Sequence, residues 1–139
     1  MICVSLTDKE KQKRLLDYFF QSCAVFSIKY PVENNKEDYR QENSLLNGKK
    51  DFLALTGIHI SPWQGMRDSI EIQGRITEEA RSIFYGSLVT RGLWNYSLFR
   101  MGNEVFVVSD FDDGIIYVPN DEETRMKQAG IIDVDDIMN

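Results

Sequence analysis

Residues 94–119 read WNYSLFRMGNEVFVVSDFDDGIIYVP, and the fold class follows from them. Two segments, 94–100 and 104–109, are dense in aromatic and β-branched side chains, which fit a pleated surface. They are joined through Gly102-Asn103, a pair suited to a tight hairpin turn. Asp113-Gly114 makes a second turn, and Ile115–Val118 forms a third strand that Pro119 ends. Turns this short connect antiparallel neighbours, because a parallel crossover needs a dozen residues or more. The stretch predicts a three-strand antiparallel meander.

Upstream of it, Thr77 followed by Glu78 and Glu79 has the order of an N-cap and the acidic first turn that a helix dipole favours. Ala80, Ile83, Phe84, Ser87 and Leu88 recur at helical spacing, and Gly92 is placed as a left-handed stop. Gly86 inside this central helix costs about 1 kcal/mol against Ala, which implies a close-packed neighbour. Before it, Ile70, Ile72 and Ile76 alternate with Glu71, Gln73 and Arg75 as in a half-buried strand, with a bulge expected at Gly74. Residues 61–67, SPWQGMR, read as a loop, and residues 52–60, FLALTGIHI, as another strand.

At the start of the chain, Thr7 with Glu10 forms a capping box. Leu15, Leu16, Phe19, Phe20, Cys23 and Phe26 then recur at helical spacing, predicting one long helix that Pro31 ends. Lys9, Lys11, Lys13 and Arg14 crowd its first turns. They read as a solvated face, with docking onto an acidic region as the alternative. Residues 31–50 are polar, and Lys36–Leu46 is either a short helix stopped by Asn47-Gly48 or a loop. Downstream of the meander, Asn120 with Glu123 makes a further capping box for a helix running to Gly130. The tail IIDVDDIMN adds a strand or packs on the sheet. The expectation is one α+β domain spanning residues 1–139. Its largely antiparallel sheet has about five strands, packed by the N-terminal and central helices.

At 42% hydrophobic and 27% charged, the chain lies in the globular range, which excludes collagenous and wholly disordered classes. No apolar run approaches the roughly 20 residues a membrane span needs. The N-terminus turns charged by its eighth residue, unlike a secretory signal, and a cytoplasmic location is expected. Cys3 and Cys23 are too few for a disulfide framework and lack metal-site spacing. Cys23 reads as a buried, reduced thiol.

The formal net charge is −6, from 16 basic and 22 acidic residues. Residues 1–103 hold 14 basic and 12 acidic side chains, whereas residues 104–139 hold Arg125 and Lys127 against 10 acidic residues. The last quarter therefore carries a net of −8. Such a field repels phosphate backbones and attracts a basic protein surface. Asp110, Asp112 and Asp113 of the DFDDG run are explained by a turn, with a weak cation site as the alternative. Asp121, Glu122 and Glu123 fit a helical first turn, while Asp133, Asp135 and Asp136 have no such local account.

His59 is the one histidine and reads as a structural, hydrogen-bonded side chain in an apolar strand. No nucleophile–base set and no phosphate-binding glycine loop is present, so no catalytic activity and no cofactor are expected. Trp63, beside Pro62 and Gly65, has the composition of an interface anchor or of a lid over the core.

The expected partner is a basic protein, not nucleic acid and not a membrane. Asp110, Asp112, Asp113, Asp121, Glu122, Glu123, Asp133, Asp135 and Asp136 would supply charge, and Trp63 buried contact. In general character this is like the immunity proteins of bacterial toxin systems, which neutralise a basic enzyme such as a nuclease, although no motif ties the chain to one such family. An accessory subunit of a larger assembly is the alternative. A divalent-cation-dependent enzyme using the Asp110–Asp113 carboxylates is a further one.

Overall fold

In chain order the elements are β1 (Ile2–Ser5), α1 (Lys9–Phe20), β2 (Val25–Pro31), α2 (Lys49–Leu53), β3 (His59–Pro62), β4 (Ser69–Arg75) and α3 (Glu78–Val89). They continue with β5 (Tyr96–Arg100), β6 (Asn103–Val108), β7 (Ile115–Val118), α4 (Glu123–Gln128) and β8 (Ile137–Met138). This computed structural model describes residues 1–31, 46–89, 92–109 and 115–138. The strands form one antiparallel sheet in the order β3-β4-β2-β5-β6-β7-β1-β8. The α+β class is as read. The strand number is not, because the sheet has eight strands where the sequence predicts about five.

The meander forms as β5, β6 and β7. Its hairpin turns on Met101 and Gly102, with φ of 52° and 81°, while Asn103 already pairs with Arg100. Two consecutive left-handed residues match the twist of the flanking strands. The one register shift between β5 and β6 lies at Leu98/Phe99, not at Gly74. Gly74 instead sits opposite Phe26, where a Cβ would stand 3.0 Å from the phenyl ring and 3.2 Å from Ile58 Cγ2.

The N-terminal helix is shorter than its apolar spacing implies. Asp8, not Thr7, caps it by accepting a bond from the Glu10 amide at 2.8 Å, and it ends at Phe20. Cys23 follows a tight turn, and Phe26 belongs to β2. Phe26, Ile28 and Tyr30 are fully buried at alternate positions, which is strand periodicity. Residues 52–60 also differ from the expected strand. Lys49–Leu53 is helical, which sends Phe52 fully into the core, and left-handed Gly57 separates it from β3. Ser61 and Pro62 belong to β3 and not to a loop. The candidate helix within residues 32–45 lies outside the described residues. Thr77 caps α3 as read, through Ala80 N at 3.1 Å. The Asn120 capping box does not form: a 3₁₀ turn over Asn120–Glu122 leads into α4 instead.

The helices supply aromatic rings to one face of the sheet. Phe84 of α3 meets Phe26 at 5.7 Å, Phe52 at 5.1 Å and Tyr96 at 5.2 Å, and Phe19 of α1 meets Phe106 at 5.4 Å. Most of these contacts are edge-on or tilted, as ring quadrupoles favour. Among the described elements no helix covers the other face. Alternation places His59, Gln73, Ser27, Ser97, Val107 and Tyr117 on it in one continuous row. At the outer edge, the Trp63 amide bonds Ser69 O at 2.9 Å, so alternate residue Pro62 takes a position whose amide would face outward. Proline there removes a donor that another strand would use.

Gly86 has no heavy atom within 4 Å of an added Cβ among the described residues, so no close neighbour requires it. Gly86→Ala should therefore raise stability by about 0.5–1 kcal/mol through helix propensity. Gly74→Ala should lower it by about 1–2 kcal/mol, because Phe26 is locked among Phe52 and Phe84 and cannot yield. Paired denaturant titrations would read both, with opposite signs expected.

Candidate functional site

Two of the three acidic groups read from the sequence reach α1, which consumes part of their charge. Glu122 is 1% exposed. Its carboxylate accepts a bond from Tyr18 Oη at 2.6 Å and pairs with Arg100 Nη2 at 2.7 Å and Arg125 Nη2 at 3.6 Å. Burial pushes this carboxyl up, but the Tyr18 and Arg100 bonds and the two guanidinium charges outweigh it and hold it below the usual range. Glu122 is thus turned inward and offers no charge to a partner. Tyr18 is raised in turn, first by burial and then by its bond to Glu122.

Two turns earlier on α1, Lys11 Nζ reaches Asp136 at 3.1 Å and Asp133 at 3.4 Å. The hydrogen bond to Asp136 holds the ammonium above its ordinary value, against a partial loss of hydration. Docking of the lysine cluster onto the acidic region, the less simple reading of those charges, is what Lys11 does. Asp133 and Asp136 also close a capping box around the 3₁₀ turn Val134–Asp136. Lys11 and Tyr18 are seven positions apart, about 10 Å along the helix, so both acidic groups border one side of α1. Glu123 pairs with Lys127 at 3.6 Å. Asp121 and Asp135 are exposed and have no ion pair among the described residues. Asp110, Asp112 and Asp113 lie outside those residues.

Trp63 is not part of this ridge. It is half-buried, and its ring stands edge-on to Trp94 at 5.8 Å and 81°. Gly65 lies under the indole, where a Cβ would meet ring atoms at 2.8 Å. Trp63 closes β3 at one edge of the sheet, whereas the acidic tail joins β8 at the other. Seven strand spacings separate those edges, about 30 Å, so the tryptophan and the carboxylates form no single face.

His59 is exposed on β3, with no hydrogen bond among the described residues, and is not the hydrogen-bonded structural histidine read from the sequence. Burial raises the Cys23 thiol, as expected of an enclosed, unreactive cysteine. Among the described residues no three His, Cys, Asp or Glu side chains are grouped to hold a metal ion. No described helix is long and apolar enough to cross a membrane.

The sequence reading missed a buried polar layer on the sheet face opposite the described helices. Ser27 Oγ donates to Glu71, whose carboxylate lies 3.9 Å from the buried Lys29 ammonium. The neighbouring Ser69 and Ser97 hydroxyls are buried without a partner among the described residues. Strand alternation in residues 26–30, FSIKY, was the available signal, since it puts Ser27 and Lys29 together opposite the aromatic face. None of the family models, curated proteins or solved structures compared with this chain matches it significantly.

Glu122→Gln leaves Arg100 without its anion and should cost about 3 kcal/mol, the lower end for a broken buried pair because Arg100 keeps some solvent. Tyr18→Phe should cost about 1 kcal/mol. The Glu122 carboxyl titrates lower when folded than when unfolded. Its contribution is therefore complete above about pH 4.3 and disappears as pH falls toward the folded value. Melting temperatures between about pH 5 and pH 3 should fall more steeply for the wild type than for Glu122→Gln.

Proposed function

We propose that the chain is a non-catalytic inhibitor that binds a basic protein, in general character a toxin-immunity protein acting in the cytoplasm on an enzyme such as a nuclease. The observation that supports this reading is the acidic ridge beside α1. Residues 104–139 carry a net charge of −8, and after internal pairing Asp121 and Asp135 are still exposed, next in sequence to the carboxylates that α1 holds. Both sit in 3₁₀ turns, one of them closed by its own capping box, so the backbone that carries these carboxylates is ordered before a partner arrives. A field of this sign speeds encounter with a cationic cleft and repels the nucleic acid that such a cleft would bind. The ridge, and not Trp63, is the contact surface in this reading.

The test is capture of native partners on immobilised full chain, eluted with salt, beside a column of the Asp121→Asn/Asp135→Asn variant. The expected result is a basic enzyme held by the wild type, released by moderate salt, inhibited by the soluble chain at equal stoichiometry and poorly held by the neutralised variant. Equal retention on both columns, or a partner insensitive to salt, overturns the reading.

A further inference from the structure

On the sheet face opposite the described helices, the exposed end carries a row that is complementary to itself. Arg75 pairs with Val25, Val25 with Phe99, and Phe99 with Glu104. Across β4, β2, β5 and β6 the row therefore reads cation, apolar, apolar, anion. Arg75 and Glu104 are exposed, and neither has an ion pair among the described residues. Three strand spacings, about 14 Å, keep them from pairing with each other. Beside the row opens a hollow of about 260 Å³ lined by Ala24, Val25, Gln73, Phe99, Met101 and Gly102. Met101, at the tip of the hairpin, is 94% exposed although its backbone is held at a φ of 52°, a conformation that L side chains rarely adopt.

We propose that this face is the contact between two copies of the chain. A two-fold axis between the two faces, parallel to the strands and midway between β2 and β5, exchanges β2 with β5 and β4 with β6. Arg75 of each copy then lies on Glu104 of the other, at both ends of the row, and Val25 lies on Phe99. The hairpin tip crosses to the β2 side of the opposite copy, where Ala24, Val25 and Gln73 form one wall of the hollow, and Met101 fills it. Only a row with unlike ends satisfies itself under such an axis, because like ends would stack charge on like charge. A second copy thus supplies the matching row without a further partner. The contact is independent of the acidic ridge, which lies on the helical side.

Sedimentation of the full chain from about 1 to 100 µM brackets the affinity of a modest contact of this kind. The mass should move from 16.1 kDa toward twice that value. Arg75→Glu and Glu104→Arg should each weaken the dimer by about tenfold or more. Met101→Ser should weaken it as well, and the double exchange Arg75→Glu/Glu104→Arg should return it close to wild type. All three positions altered are at the surface, and each variant should melt as the wild type does. A wild-type chain that remains at 16.1 kDa throughout overturns the proposal. So does a dimer that any of the three single variants leaves unchanged, or that the double exchange does not restore.

Discussion

Strand β2 is the constraint on which the rest of the molecule depends. It pairs with β4 along all seven of its residues and with β5 over four, and so joins the β3-β4 edge to the rest of the sheet. Its inward residues, Phe26, Ile28 and Tyr30, are each fully buried and receive the rings of α2 and α3. Its outward residues, Ser27 and Lys29, form the polar layer with Glu71. A seven-residue segment thus separates an aromatic core from a buried polar layer, and the strand pleat alone divides them.

The parts of the fold that were legible in the sequence are those whose signal is local and long enough to repeat. The meander, β4 and α3 each carry several turns of period or an evident cap. β2 was lost because Phe19, Phe20, Cys23 and Phe26 happen to continue the helical spacing across a turn, and the period of two in residues 26–30 is only five residues long. β1 and β8, with four and two residues, are too short to show any period. They exist because each finds the other across the length of the chain.

The same distinction divides the candidate site. Clusters of carboxylates are visible as composition, but whether a carboxylate is spent or free depends on partners far away in sequence. Tyr18 reaches Glu122 across 104 positions, and Lys11 reaches Asp136 across 125. Local reading credits Asp121, Glu122 and Glu123 equally. Packing buries the middle one, pairs the third with Lys127 and leaves the first exposed. The helix dipole that accounts for all three says nothing about which of them faces solvent.

The insertion of β1 between β7 and β8 has a consequence for the order in which the chain acquires its structure. Strand β1 is synthesised long before its neighbours, since Ile2 waits for Val118 and Cys3 for Met138. Until then its amides and carbonyls must stay with water. Closing loops of this length costs entropy before any ladder bond returns it, and such topologies fold slowly. The β3–β4 and β5–β6 pairs can assemble earlier, from contacts closer in sequence. Maturation of this protein is therefore a race between synthesis of residues 115–138 and the capture of the orphan strand β1 by some other sheet edge.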